Sequence, residues 1–315
     1  MTDDATRLVP AQSLLGPPGP ADAAPFPGVA AALAARLRAD GARPMVTFYD
    51  DATGERVELS GVTLDNWVAK TANLLVDTLG LGPGDRVGVD LPTHWLAVVI
   101  LLAAWSAGLE VLVAPGPTDA AAGAPASGAP TSGPTPAGAG RDGSAQVQAI
   151  FAAESRLDAA LALGADEVVA LSLRPLGGRM AHPVAGVLDF AAEVPPHGDR
   201  FAAPRPPAAQ ASLLARAAGV AASVGLGAGD RLLATAGPGE AEGLLAGVLV
   251  PLVTGASVVL CRHLDDHLDD AAFARRIATE RVTAARGPGR SLPAGVRPID
   301  LAAAVTALRQ PPRLG

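Results

Sequence analysis

Cys261, His263 and His267, interleaved with Asp265, Asp266, Asp269 and Asp270, form the densest run of side chains able to ligate a metal. Histidines four apart share a helix face, and the carboxylates could complete a coordination shell. The same run reads equally as a strand end, an acidic turn and an N-cap at Asp269 or Asp270 for a helix carrying Phe273 and Ile277. With no second ligand cluster along the chain, the capping reading is preferred and no metal is assigned. His94 follows Pro92 and opens a helix, while the turn 235–242 opens another. Each follows a short apolar strand, so each stands at the carboxyl edge of a parallel sheet, where open α/β folds bind ligands. His94, Thr235, Gly237, Gly239 and Glu240 are therefore the candidate pocket residues, although a histidine at a helix start is ordinarily just solvated. No Gly-x-Ser-x-Gly elbow occurs and no Ser–His–Asp set can be read, so no catalytic residue is assigned. Of 24 basic residues only Lys70 is a lysine, which leaves amine chemistry a single candidate.

The elements that position these residues come in a weak repeat. Gly80-Leu-Gly-Pro-Gly-Asp-Arg86 recurs as Gly225-Leu-Gly-Ala-Gly-Asp-Arg231. Each copy follows an amphipathic helical pattern, with Leu64, Trp67, Val68, Thr71, Leu74, Leu75 and Leu79 on one face of the first and Leu213, Leu214, Ala217, Val220, Ala221 and Val224 on one face of the second. Strands are expected at 87–91 and 232–235, helices at 96–107 and 242–253, and closing strands at 110–113 and 257–261. Further strands are expected at 45–49 and 168–173, and a helix at 270–280. Asp50 and Asp51, followed by Thr53-Gly54, read as a hairpin turn. The repeated glycines do not read as a phosphate cradle, because helix precedes them and strand follows, the reverse of a dinucleotide fingerprint. Gly80 and Gly225 instead read as left-handed residues that end their helices.

Composition bounds the rest. The chain has 315 residues, a net charge of -7, 49% hydrophobic and 17% charged residues, which supports a buried core. The acidic balance argues against nucleic acid as a partner. One cysteine excludes an internal disulfide framework and suits a reducing compartment. No signal-peptide pattern opens the chain, and the most apolar stretch, 95–114, is interrupted by Ser106, Gly108 and Glu110, short of a membrane span. A cytoplasmic protein is expected. Heavy use of Ala, and of Arg over Lys, matches a high-GC bacterial genome. Residues 1–26 read as a flexible tail, 27–114 as a first α/β subdomain, 115–145 as a low-complexity Pro/Gly/Ala insertion, 146–285 as a second α/β subdomain and 286–315 as a C-terminal extension.

The order helix, GLGPGDRV, strand, Pro, helix, Ala-Gly, strand resembles the N-terminal domain of the adenylate-forming, AMP-binding superfamily, which includes the acyl-CoA synthetases. It rests on Val62-Thr63-Leu64, Gly84 to Val89 and Ala103 to Gly108. It is renewed at Gly229 to Thr235, Gly243 to Leu249, Pro251-Leu252 and Gly255 to Leu260, over about 44–114 and 208–284. The resemblance implies two related parallel-sheet α/β subdomains, truncated at the C-terminus, and ATP or AMP as cofactor. It also implies a Ser/Thr/Gly-rich phosphate loop with a lysine, placed just before the helix leading to Gly229. Here that place reads FAAPRPPAAQ (201–210), with neither Lys nor Gly. The run TSGPTPAG (131–138) has the right composition but lies in the insertion, far upstream. The family's Pro-aromatic-His-x-x-Gly motif falls on Pro238 to Gly243, with Glu240 at the histidine position. The family's acidic metal-binding and ribose-binding motifs and its lysine-bearing lid find no counterpart before Gly315. The expectation is a degenerate, non-catalytic relative acting as a binding or regulatory protein. The alternative is a minimal acyl-adenylate or acyl-CoA ligase with unusual residues or a lid supplied by a partner. An apolar face left exposed without the family's third subdomain predicts self-association.

Overall fold

The computed structural model describes residues 7–17, 23–116, 146–286 and 291–309; of the insertion expected at 115–145, residues 117–145 lie outside them. In chain order the strands are β1 (Val9–Pro10), β2 (Pro44–Asp50), β3 (Glu55–Ser60), β4 (Arg86–Asp90), β5 (Glu110–Val113), β6 (Ala149–Ala153), β7 (Glu167–Leu171), β8 (Leu188–Asp189), β9 (Arg231–Ala234), β10 (Ser257–Arg262), β11 (Ala284–Ala285) and β12 (Arg297–Pro298). The helices are α1 (Val29–Asp40), α2 (Gly61–Asn73), α3 (Trp95–Ser106), α4 (Leu157–Ala162), α5 (Phe190–Glu193), α6 (Ala208–Ser223), α7 (Ala241–Leu244), α8 (Val250–Thr254), α9 (Leu264–His267), α10 (Asp270–Glu280) and α11 (Leu301–Arg309).

Two six-stranded sheets result, ordered β1-β5-β4-β6-β7-β8 and β12-β11-β9-β10-β2-β3. All pairings are parallel except β1 with β5 and the β2–β3 hairpin. This is the expected α/β class. Neither sheet is confined to one sequence segment, however. The β2–β3 hairpin joins the sheet of β9 and β10, while β6, β7 and β8 extend the sheet of β4 and β5.

The repeat has a local physical cause. Gly80 and Gly225 sit at φ 67° and 66°, the left-handed geometry that ends a helix without a Cβ penalty. Asp85 then accepts from Gly82 N at 2.8 Å, and Asp230 accepts from Gly227 N at 2.9 Å, so each acid fixes the turn that launches its strand. The helix expected over 242–253 forms as α7, a π turn at Leu245–Leu249 and α8. Pro251 has no N–H to give the regular ladder, and the wider turn just before it absorbs that break.

α3 explains how the sheets share one core. Its twelve residues, WLAVVILLAAWS, carry no charge and are all buried, the signature of a helix apolar on every side. It packs on α1, α2 and α7's π turn, on β4 and β5 of one sheet, and on β2 of the other. Among the described residues no helix is long and apolar enough to cross a membrane.

The tail reading of 1–26 is corrected for the residues described there. Val9 and Pro10 pair with β5, Ala11 and Leu15 are buried, and Arg216 Nε donates to Leu15 O at 3.0 Å. Without β1, β5 would be a bare edge, and its unpaired backbone groups are what the segment satisfies. At the other end, Ile299, Leu301, Ala304 and Val305 join the main core.

Candidate functional site

His94 ends the short connection between β4 and α3. Its Nδ1 accepts from Leu96 N at 3.1 Å, so the imidazole caps the helix. The expected solvated ring is in fact 1% exposed, lying 4.5 Å from Phe48 and 5.7 Å from Trp95 between ring centroids. Burial, followed by the nearby Arg262 cation, pushes its pKa down to about 3, and Asp50 opposes that only in part. The ring is therefore neutral.

The second candidate turn lies against the first. Thr93 Oγ1 donates to Thr235 O at 2.8 Å, which joins the carboxyl ends of β4 and β9. Gly237 and Gly239 are buried, while Thr235 and Glu240 are half-buried. A Cβ on Gly239 would stand 1.9 Å from Ala114 O, at the end of β5, and one on Gly243 would stand 2.0 Å from Gly237 O. These glycines thus serve close backbone packing. Glu240 is the N-cap residue of α7 but makes no side-chain cap bond. Glu242 is buried, its carboxylate 2.6 Å from Arg286. Burial holds its pKa up at about 7, with Arg286 pulling the other way. Two acidic side chains, one already holding the adjacent arginine, do not fit a triphosphate or a substrate carboxylate.

The third cluster resolves as capping. Asp269 accepts from Ala272 N at 2.6 Å and starts α10. Cys261 points into a small core, where burial pushes the thiol up to about 12. Among the described residues no group of three His, Cys, Asp or Glu side chains is placed to hold a metal. Sequence reasoning missed one pair. His263 Nδ1 lies 2.8 Å from Asp50 Oδ1, joining β10 to the β2–β3 hairpin, and His263 adopts the left-handed φ of 57°. Only a parallel β10–β2 pairing brings Asp50 there, and 213 residues separate the partners.

Lys70 Nζ donates to Pro195 O at 3.0 Å and to His197 O. Asn73 Nδ2, one turn on, donates to Gly198 O and Arg200 O at 2.8 and 2.9 Å, so α2 clasps the connector 195–200. That connector continues into 201–207, where the resemblance places a phosphate loop. Here Gly28 lies so close to Pro206 that a Cβ would approach to 2.5 Å. Gln210 accepts from Val29 N at 3.0 Å and donates to Trp105 O at 2.6 Å, tying α6 to the ends of α1 and α3.

Residues 33–121 match the family model for AMP-binding enzymes. A "TIGR03089 family protein" of Mycobacterium tuberculosis is 39% identical over 253 residues, covering 78% of this chain and 93% of that relative. Among solved structures, an acyl-CoA synthetase of Brucella canis superposes with a TM-score of 0.61 at 18% identity, over 89% of this chain and 50% of that one. Acetoacetyl-CoA synthetase from Streptomyces lividans gives 0.59 at 18% identity, over 82% and 42%. Apo MatB from Rhodopseudomonas palustris gives 0.55 at 18%, over 82% and 49%. The chain spans about half the length of these solved proteins, and at such identity the likeness is one of fold.

Proposed function

The chain belongs to the TIGR03089 family, relatives of the AMP-binding adenylate-forming enzymes, and on that premise we propose that it is a non-catalytic binding or regulatory protein built on their fold. The observation that carries this reading is the fate of the lysine. Adenylation requires positive charge on the α-phosphate and pyrophosphate as they separate. The chain's one lysine instead spends its ammonium on the carbonyls of Pro195 and His197. The segment 201–207 supports the same reading, since it is a lysine-free, proline-rich connector packed on α1. Glu240 adds an acidic side chain at the turn where a nucleotide would need the opposite, and Glu242 occupies the adjacent Arg286.

The test is calorimetric titration with ATP and AMP, with and without magnesium, followed by pyrophosphate exchange with carboxylic acids. The expected result is no binding tighter than about 1 mM, equivalent to roughly 4 kcal/mol, and no exchange. Acid-dependent exchange would overturn the proposal in favour of a ligase with unusual residues.

A further inference from the structure

Val62, Asn66 and Lys70 recur at four-residue steps along α2, and Thr63 and Trp67 run in the row beside them. Leu64, Val68, Thr71 and Ala72 are buried on the other side of the helix. The two outer rows and Pro195, from the connector that α2 clasps, line a concave space of about 400 Å³. That volume falls in the range of about 300–1,000 Å³ usual for small-molecule sites. Val62 stands 60% exposed at its edge, so the space is reached from solvent.

Two of its walls are held in place by the fold. Trp67 stacks on Phe190 with 6.4 Å between ring centroids and 17° between planes, and meets Trp95 edge-on at 5.5 Å. These contacts fix the indole, yet it remains half-buried and lines the space. Lys70 Nζ donates to Pro195 O and His197 O, which uses two of the three N–H groups of an ammonium. A lysine held this way gives up little further freedom when it meets a ligand. Among the described residues no carboxylate forms an ion pair with Lys70, so its charge is uncompensated at the wall of the hollow. The amide of Asn66, one turn earlier on the same row, likewise has no hydrogen-bond partner among the described residues.

We propose that this hollow binds a small aromatic monocarboxylate, its ring against Trp67 and its carboxylate accepting from the third N–H of Lys70 and from the Asn66 amide. One cation and one amide match the single charge and two oxygens of a carboxylate. A phosphate dianion would bring more charge and more acceptors than these two groups answer. A neutral ring would leave the Lys70 charge unused, and an aliphatic acid would forgo the aromatic contact with Trp67. The hollow asks nothing of the turn 235–242 or of adenylation, so its failure would leave the proposed function untouched.

The test uses the full chain labelled with 15N at its indole nitrogens and titrated with 2-naphthoate. The three indole resonances are assigned by replacing each tryptophan in turn with phenylalanine. The Trp67 resonance is expected to shift saturably, with Trp105 unmoved, and 2-naphthamide and cyclohexanecarboxylate should each bind at least about tenfold more weakly. Asn66→Asp removes the amide and sets a carboxylate one turn before Lys70, where it competes for the ammonium. It should weaken 2-naphthoate at least about tenfold with an unchanged unfolding midpoint, because the amide it replaces holds nothing in the fold. Lys70→Gln keeps a donor for the connector but drops the charge and should weaken binding similarly; if it fails to fold, Asn66→Asp decides. Absence of a saturable Trp67 shift, an equal shift at Trp105, 2-naphthamide or cyclohexanecarboxylate binding as tightly, or undiminished binding by Asn66→Asp would each overturn the proposal.

Discussion

His94 and Glu242 titrate in opposite senses, and the sign of each follows from its burial. The His94 ring refuses a proton until about pH 3 in the folded chain, whereas the unfolded chain takes one near the ordinary 6.5. Its contribution is complete above about pH 6.5 and is lost as pH falls toward 3, to the order of 5 kcal/mol. Glu242 keeps its proton up to about pH 7 against an ordinary 4.5. Stability from that group is complete below about pH 4.5 and is lost as pH rises through 7, to the order of 3 kcal/mol. Arg286, 56% exposed, offsets little of this. His94→Gln should therefore cost about 1–3 kcal/mol at neutral pH through lost ring packing, with the deficit shrinking as pH drops toward 4. Glu242→Gln should match the parent near pH 4.5 and exceed it above pH 7. Urea unfolding at a series of pH values reads both. Parallel stability profiles for parent and variant would refute either assignment.

At the scale of elements, the turn 235–242 is held by contact rather than by a special dihedral. Gly239 has no left-handed φ, yet an added methyl would meet Ala114 O at 1.9 Å. Gly227 likewise has no left-handed φ, but nothing lies within 4 Å of its Cβ position. Gly239→Ala should cost about 2–3 kcal/mol or more, because backbone at the end of β5 must move. Gly227→Ala should be neutral or stabilising by up to about 1 kcal/mol. Thermal unfolding separates the two, and equal midpoints would remove the close approach as the reason for glycine at 239. The same contrast shows what the sequence could reveal. Helix faces, the left-handed Gly80 and Gly225, the Asp269 cap and the hairpin after Asp50 were all readable, since each is decided within a few residues. The burial of His94, the Asp50–His263 pair and the service of Lys70 as a clasp were not. They depend on partners 46 to 213 residues away, whose positions follow from strand order rather than from any local pattern.

At the scale of the whole molecule, strand order makes the two halves interdependent. Reading 27–114 and 146–285 as separate units predicts that each could hold its own sheet. Instead β2 is the inner neighbour of β10, with five residue pairs in parallel register, and β3 closes that sheet. In exchange β6 sits directly beside β4, and β7 and β8 follow it. Removing either half would strip the other sheet of its strands and expose α3, whose twelve residues are buried against both. Such an exposed apolar surface favours association over folding. Fragments 1–116 and 146–315 expressed singly should therefore show no cooperative unfolding transition. Expressed together they should copurify as a pair that unfolds in one step, since the break falls between β5 and β6 and cuts no described strand. Circular dichroism melts of the separate and joint preparations read the outcome. A cooperative melt from 146–315 alone would mean that β9, β10 and β11 suffice as a sheet, and that the hairpin from the first half is an addition to a complete domain rather than one of its structural parts.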